Sequence, residues 1–273
     1  MNLDTLYQML AQPPQELGVA PDFLALRPRF QLHWVEQIDS TNRELATMMA
    51  AGAPAGTVLM AATQQAGRGQ WGRQWLSQPG GLYLSLGLRP ELEAQRSAFL
   101  TLASAWGVAT SLENLGLPVQ VKWPNDLVAN GKKLGGLLVE TRLANCCIKE
   151  AVIGLGLNSF NPVPPTGISL QQLIQPEAGF SPLNTLEGIA AVALYGLLQG
   201  YFFWQNQGDS AFLAAYQAKM THLGQTVVVN DRLAEVRGLG GAGNLRVHLQ
   251  SHLPADSIDL EVKPGEVTLG YNA

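Results

Sequence analysis

The sequence is poor in charged residues, and those it has leave the chain acidic. Asp, Glu, Lys and Arg make up 14% of the 273 residues, against about 25% in an average domain. The formal net charge at pH 7 is −4. A domain that binds DNA is usually basic, because neutralised phosphates supply most of its non-specific affinity. The charge balance therefore argues against a DNA-binding protein.

Cysteine is also scarce, since the sequence holds only the adjacent pair Cys146 and Cys147. Neighbouring cysteines almost never bond to each other, and one such pair makes no disulfide framework. The sequence shows no signal peptide either, so we expect a protein of the reducing cytoplasm. We interpret the two thiols as small strand residues; a dithiol site for metal or redox chemistry is the alternative.

No apolar run is clean enough to predict a membrane span. The longest, residues 188–204, contains two internal glycines and Gln199, and it follows the capping residues Asn184 and Thr185. We interpret it as a buried helix and predict no membrane segment. Apolar residues make up 47% of the chain, which is enough for a sizeable core.

The apolar pattern divides the chain into three stretches. Residues 1–29 show a short helical pattern and four prolines, which we interpret as an arm or a first helix. Residues 30–222 mix strands with helices, and residues 223–273 hold only short strands separated by Gly, Asn and Asp. The predicted strands are 30–38, 56–63, 81–88, 119–128, 133–143, 146–157, 226–229, 234–239, 245–249 and 267–271. The predicted helices are 43–49, 97–115, 184–204 and 208–220.

One stretch, residues 64–75, combines three glycines with Arg68 and Arg73. Glycine lets a backbone approach a ligand and present consecutive N–H groups, and arginine adds a permanent charge that fits phosphate or carboxylate. We therefore interpret this glycine loop as an anion-binding loop. A plain glycine-rich turn and a disordered Arg-Gly segment that binds nucleic acid are the alternatives.

A second unusual stretch is Lys-Trp-Pro-Asn-Asp at residues 122–126. It places a cation, an aromatic ring, an amide and a carboxylate within a predicted strand that Pro124 interrupts. A central strand does not tolerate proline, so this must be an edge, a bulge or an end that faces a site.

Two lysines begin the following strand, ahead of a pair of glycines at 135 and 136. Strand alternation sends Lys132 and Lys133 to opposite faces, so only one of them can face a site. Asn158 ends the next strand, whose two glycines also admit a close ligand. Asn130-Gly131, between the strands, is a strong signal for a tight hairpin.

Several of these residues also have plain structural explanations. Ser40 and Thr41 would serve as helix caps in most proteins. Lys132 can be a solvated hairpin charge, Trp123 a core residue and Asn158 a turn cap. It is their joint occurrence that indicates a site.

These motifs together resemble the biotin protein ligases, also called biotin–acetyl-CoA-carboxylase ligases. The matching blocks are Ser40-Thr41-Asn42, Gln-Gln-Ala-Gly-Arg-Gly at 64–69, Lys-Trp-Pro-Asn-Asp at 122–126, Lys-Leu-Gly-Gly at 133–136 and Gly-Leu-Gly-Leu-Asn at 154–158. The likeness runs from about Val35 to the C-terminus, where residues 264–269 resemble the closing strand of the family's small barrel. The chain resembles the monofunctional type, which has no N-terminal DNA-binding domain.

The resemblance implies a fold and an activity. The fold would be α+β: a mixed β-sheet with flanking helices, similar to class II aminoacyl-tRNA synthetases, plus a small C-terminal SH3-like β-barrel. Residues 30–222 would be the catalytic domain and residues 223–273 the barrel. The activity would use ATP and magnesium to make biotinyl-AMP, then pass biotin to a lysine of the biotin carboxyl carrier protein of acetyl-CoA carboxylase. Relatives include monomers and homodimers; neither DNA nor a membrane is an expected partner.

The resemblance also assigns residues to each ligand. Lys133 and Arg68 would be catalytic. Biotin would contact Ser40, Thr41, Asn42, Gln64, Gly67, Arg68, Gln70, Trp75, Lys133, Gly135 and Gly136. ATP would contact Arg68, Arg73, Lys122, Asn125, Lys133, Asn158 and Ser169. Asp126 would be the oxygen ligand of the magnesium ion.

One residue departs from the family pattern. The loop commonly reads Gly-Arg-Gly-Arg, and here Gln70 replaces the second arginine. That arginine helps relatives to hold the activated intermediate. A hydrogen bond to a charged group contributes about 1.5–3 kcal/mol, against about 1 kcal/mol for a neutral pair. We therefore expect weaker retention of biotinyl-AMP, unless Arg73 compensates.

Three other functions remain open on the sequence. A lipoate or other acyl ligase of related fold would use the same adenylate chemistry. A non-catalytic biotin-binding regulator would be expected to lose Lys133 or to carry a DNA-binding domain. An RNA-binding protein that uses the Arg-Gly loop fits poorly with the acidic charge.

Overall fold

The computed structural model describes residues 1–174, 181–229, 231–249, 258–267 and 269–270. Within these ranges the α-helices are α1 (Leu3–Leu10), α2 (Thr41–Ala50), α3 (Ser97–Asn114), α4 (Leu170–Leu173) and α5 (Leu186–Ala218). The strands are β1 (Gln31–Ile38), β2 (Thr57–Gln64), β3 (Leu82–Leu88), β4 (Leu92–Glu93), β5 (Val119–Lys122), β6 (Asp126–Ala129), β7 (Lys132–Ala144), β8 (Cys147–Leu157), β9 (Thr226–Val229), β10 (Arg232–Leu239), β11 (Leu245–Leu249) and β12 (Ile258–Val262).

Eight strands form one mixed sheet in the order β1-β2-β3-β8-β7-β6-β5, with the short β4 paired to β8. β1 and β2 are parallel and the other neighbours are antiparallel. Alternation along β2 sends Val58 and Met60 into the main core, while Leu59 joins Leu45 and Met49 of α2 in a second cluster. The first five residues of β2 are therefore buried on both faces, as their apolar sequence requires.

Helices α3 and α5 pack closely because both carry glycine where they cross. A Cβ atom on Gly107 would lie 2.1 Å from the carbonyl oxygen of Gly196, so no larger residue fits there. Helix α5 is long and apolar enough to cross a membrane by length and composition, but 67% of its apolar window is buried inside the protein. It is interrupted at Gly208, where φ is 76°, close to the predicted boundary between two helices.

The N-terminal stretch packs onto α5. Leu6 and Leu17 are buried in the main core. Gln199, fully buried in α5, accepts a hydrogen bond from the backbone N–H of Ala20 at 3.0 Å and donates to the carbonyl of Gly107 at 3.1 Å. This polar residue in an apolar helix thus joins three segments.

Most predicted elements are present, but the strand predicted over 119–128 is wrong. It is a hairpin of β5 and β6 that turns at residues 123–125, with a cis peptide bond before Pro124. The tight turn predicted at Asn130-Gly131 is confirmed, with φ of 50° and 72°.

The C-terminal sheet is antiparallel, in the order β12-β11-β10-β9. Its fourth strand is not the predicted one. Of residues 267–271, those at 267, 269 and 270 lie outside any strand, and 268 and 271 lie outside the described residues. The place is taken by β12, which the sequence pattern did not predict. Trp123 donates its indole N–H to the carbonyl of Gly243 at 2.9 Å and so connects this sheet to the β5–β6 turn.

Candidate active site

A cavity of about 760 Å³ opens where the glycine loop covers the large sheet. Its walls come from the start of α2, the loop, the first half of β7 and the end of β8. Among the residues predicted to bind ligands, it is lined by Ser40, Thr41, Asn42, Gln64, Arg68, Gln70, Arg73, Trp75, Asn125, Asp126, Lys133 and Gly136. The structure thus collects residues from four separate sequence blocks in one place.

The floor of the cavity is polar and hydrogen-bonded. The backbone N–H and the hydroxyl of Thr41 donate to Oε1 of Gln64 at 2.9 and 3.2 Å. The hydroxyl of Ser85 lies 2.8 Å from Oγ1 of Thr41 and 2.6 Å from Oδ1 of Asn42. Ser40 precedes α2 but makes no capping hydrogen bond with its side chain. The capping explanation of this segment therefore does not account for its side chains.

A carboxylate that sequence reasoning missed joins this floor to the loop. Glu140 of β7 pairs with Arg68 at 2.9 Å and accepts a hydrogen bond from Nδ2 of Asn42 at 3.1 Å. Asn42 fits because its neighbour is Gly154, where a Cβ atom would lie 2.1 Å from Oδ1. Ser85 was also missed, although a serine inside the apolar run of β3 is a signal that could have identified it.

The glycine loop is folded as a narrow hairpin. Isolated bridges join Gln64 to Ser77 and Arg68 to Gln74. Gly67 is required here, because a Cβ atom on it would lie 2.5 Å from the carbonyl oxygen of Trp75. The Trp75 ring covers Gly156, whose missing side chain leaves room for it.

The positive groups gather around one carboxylate. Nζ of Lys133 lies 2.6 Å from Oδ1 of Asp126, and Nζ of Lys122 lies 3.8 Å from Oδ2. Lys133 also lies 5.3 Å from the centre of the Trp75 ring. Lys132 is exposed, as alternation along β7 predicted.

The ammonium of Lys122 has a lowered pKa of about 8. Burial is the main cause, because it disfavours the charged form. The charges of Lys133 and Arg73 lower the pKa further, and Asp126 opposes them. Such a cluster of partly desolvated cations is suited to an anionic ligand.

A second cavity, of about 1050 Å³, adjoins the first. It lies between the glycine loop, the β5–β6 turn and residues 264–267 and 269 of the C-terminal part. Arg73, Asn125 and Asp126 line both cavities, and Lys122 lines the second. The two cavities therefore share part of their walls, and Arg73 lies in the shared part.

Two residues predicted to contact ATP line neither cavity. Asn158 is buried and donates from Nδ2 to the carbonyls of Lys133 and Ile168 at 3.3 and 3.2 Å. Ser169 forms a capping box with Gln172 at the start of α4. Both side chains hold the backbone next to the site.

The carboxylate of Asp126 offers a magnesium ion limited room, since both of its oxygens face lysines. Among the described residues, no group of three His, Cys, Asp or Glu could hold a metal. Magnesium usually binds through one or two carboxylates together with substrate phosphates. The residues present fit an ion that arrives with a phosphate ligand, and they do not form an all-protein cage.

Comparison with known proteins identifies the arrangement. The model of the biotin/lipoate A/B protein ligase family matches residues 34–158, which contain the glycine loop and most of the cavity wall. The match spans a little less than half of the chain, so it shows a domain of this family within the chain. Its fold is that of the biotin protein ligases, with the mixed sheet and a separate small antiparallel sheet consistent with an SH3-like domain.

Individual relatives agree with this assignment. The chain is 29% identical to the biotin–acetyl-CoA-carboxylase ligase of Paracoccus denitrificans, over 74% of this chain and 85% of that protein. It is 38% identical to the bifunctional ligase/repressor BirA of Bacillus spizizenii, over 46% of this chain but only 40% of that protein. The biotin protein ligase from Aquifex aeolicus, solved in complex with biotin and ATP, superposes with a TM-score of 0.67. That match has 25% identity and covers 89% of this chain and 99% of the other.

Proposed function

We propose that this chain is an ATP-dependent biotin protein ligase. It would join biotin to AMP with release of pyrophosphate, and then transfer biotin to a lysine of a biotin carboxyl carrier protein. The observation that carries the proposal is the pair of adjoining cavities. The first has a polar, hydrogen-bonded floor with Lys133 and Arg68 in its wall, and the second is lined by Lys122 and Arg73.

The floor suits the ureido ring of biotin. Thr41, Asn42 and Gln64 present hydroxyl and amide groups that can donate and accept hydrogen bonds. A site built to satisfy such groups rejects molecules that lack them by about 10⁴-fold or more. Trp75 and Gly136 would contact the apolar part of the acid.

The first chemical step brings two anions together. A carboxylate oxygen of biotin attacks the α-phosphorus of ATP, the bond to the bridging oxygen breaks, and pyrophosphate leaves with its electron pair. Cations whose attraction strengthens as charge develops lower this barrier. We assign Lys133 and Arg68 to that role, and Arg73, Lys122 and Asn125 to the phosphates. Magnesium held by Asp126 and the phosphates would neutralise further charge.

The second step needs no side-chain nucleophile of the enzyme. The amine of the carrier lysine attacks the activated carbonyl carbon, and AMP is the leaving group. The chain's two cysteines are free thiols, in keeping with the cytoplasm as the proposed location. The proposal applies to either a monomer or a homodimer.

One measurement tests the activity: exchange of labelled pyrophosphate into ATP, with biotin or lipoate as the acid. Biotin should support exchange and lipoate should not, because only biotin has the ureido group that the floor would bind. The family includes lipoate ligases, so exchange with lipoate alone would assign the chain to them. Exchange with neither acid would refute adenylate formation from both.

A further inference from the structure

The arginine of the glycine loop needs an anchor. Arg68 would meet the anionic end of the acid, yet its side chain is 47% exposed. A long side chain loses rotamer freedom when it is fixed, at a cost of up to about 2 kcal/mol. Orienting it before the ligand arrives would remove that cost from binding.

Glu140 provides such an anchor. Both of its carboxylate oxygens lie near the same guanidinium nitrogen, Nη1 of Arg68, at 2.9 and 3.1 Å. An arginine has five N–H donors on three nitrogens. Within the part of the chain that the structure describes, the side-chain hydrogen bonds of Arg68 run only from Nη1. The Nε and Nη2 donors are therefore left for an anion in the cavity.

The carboxylate itself is fixed by the sheet. Glu140 lies in β7, paired in register with Val152 of β8. Its Oε2 also accepts from Asn42, whose amide donates to the carbonyl of Leu138 at 3.1 Å and accepts from Ser85. Glu140 thus connects the glycine loop to the same floor that would recognise the acid.

The ion pair contributes little to folding. Pairs exposed to this degree typically stabilise a protein by about 0–1 kcal/mol. Its distinctive property is its place, because it joins a loop cation to a rigid strand. We propose that Glu140 is a positioning residue, which orients Arg68 toward the acid and holds the loop against the floor. This inference rests on the proposed function.

Substitution of Glu140 tests the idea against a matched control. Glu140→Gln keeps an oxygen acceptor for Asn42 but removes the charge that holds Arg68. Glu150→Gln is the control, because Glu150 in β8 also pairs with arginines, Arg142 at 2.7 Å and Arg89 at 3.5 Å, and lines neither cavity. In pyrophosphate exchange, Glu140→Gln should raise KM for biotin about five- to ten-fold with kcat changed less. Glu150→Gln should change KM by less than two-fold.

A double variant separates positioning from a general loss of structure. If Glu140 acts through Arg68, adding Glu140→Gln to Arg68→Ala should cause no further rise in KM. If the double variant instead shows a KM rise equal to the product of the two single rises, the inference is overturned. Equal KM values for Glu140→Gln and Glu150→Gln would also overturn it.

A test on the ligand-free protein does not depend on the activity. Trypsin should cut after Arg68 and Arg73 several-fold faster in Glu140→Gln than in Glu150→Gln, because the loop has lost its anchor. Equal cleavage rates would show that Glu140 does not hold the loop. If the unmodified protein exchanges pyrophosphate with neither acid, the proposed function fails, and the cleavage comparison still decides whether Glu140 anchors the loop.

Discussion

At the scale of single residues, one hairpin offers two neighbouring lysines with opposite surroundings. Lys133 lines the cavity and pairs with Asp126, whereas Lys132 is exposed on the other face of β7. We expect Lys133→Ala to reduce biotin-dependent pyrophosphate exchange by about 10²-fold or more, the usual effect of removing a group that stabilises developing charge. Lys132→Ala should stay within two-fold. Normal exchange by Lys133→Ala would remove this lysine from the chemical step.

Gln70 allows the missing family arginine to be restored. Its side chain lines the cavity, where a guanidinium would add a charge beside the phosphate of the intermediate. A gain of about 1 kcal/mol would slow release of biotinyl-AMP about five-fold in Gln70→Arg. The exposed Gln65 lines neither cavity, so Gln65→Arg is the control. Equal release rates in the parent protein and Gln70→Arg would show that another group, such as Arg73, already compensates.

The lowered pKa of Lys122 predicts a pH dependence of ATP binding. With a pKa of about 8, the ammonium is charged below pH 8 and loses its proton above it. A bound triphosphate favours the charged form, so the Kd for ATP should rise above pH 8, by up to about ten-fold per unit. Lys122→Arg keeps its charge and should give a flat profile between pH 7 and 9.5. If the Kd for ATP rises equally with pH in both proteins, the titrating group is not Lys122.

The lowered pKa of Lys122 also affects the stability of the folded protein. As the pH rises above 8, stability should increase while ATP binding weakens. The unfolded chain holds its lysine proton up to about pH 10.5, and the folded chain only to about 8. Between these values the unfolded state binds more protons, so the Lys122 contribution to stability increases with pH. Below pH 8 the folded protein carries the full cost of burying the charge. Such a loss of stability is expected of a residue whose role is to bind a ligand.

At the scale of elements, the sequence was informative where the local signal and the tertiary context agree. Asn130-Gly131 predicted its hairpin because both residues readily adopt positive φ, and β7 shows the alternation its sequence implies. The strand predicted over 119–128 is wrong because the apolar residues of two strands flank a turn, and residues 123–125 of that turn are themselves buried or half-buried. β12 was missed because its exposed residues leave only Val262 buried, which gives little periodic signal.

The residues of the candidate site also differ in how well the sequence predicts them. Residue blocks rich in glycine and charge predicted the loop, Asp126 and Lys133 as site residues, since scaffolds seldom need such combinations, and all three line the first cavity. Glu140 could not be found this way, because its importance depends on Asn42, a residue distant in sequence. Asn158 was placed near ATP by resemblance, yet its amide holds two backbone carbonyls. Pairings that form only in three dimensions are outside what a pattern along the chain can show.

The crossing of α3 and α5 gives a prediction at this scale. A methyl group on Gly107 would lie 2.1 Å from the backbone oxygen of Gly196, so Gly107→Ala must separate the two helices. We expect a loss of about 1–3 kcal/mol in the free energy of unfolding, reduced by the better helix propensity of alanine. Gly241→Ala is the control, because a Cβ there meets nothing within 4 Å. Urea unfolding measures both, and equal midpoints would contradict the close packing.

At the scale of the whole molecule, the two cavities are built by different parts of the chain. The first is enclosed by the large sheet, α2 and the glycine loop. The second is completed by residues 264–267 and 269, which follow β12 of the C-terminal sheet. A change at the junction between the sheets should therefore affect ATP more than the acid.

Trp123 is the residue at which this difference can be measured. It is 4% exposed, lines the second cavity and donates to the carbonyl of Gly243 in the C-terminal part. Trp123→Phe keeps an aromatic ring but leaves that buried oxygen unpaired, at a cost of about 1–3 kcal/mol. We expect KM for ATP to rise several-fold and KM for biotin to stay within two-fold. Trp34→Phe, which removes only an indole N–H near Glu36, is the control. A parallel rise in both KM values would mean that the C-terminal sheet supports the whole site, because the acid end would then depend on the same junction.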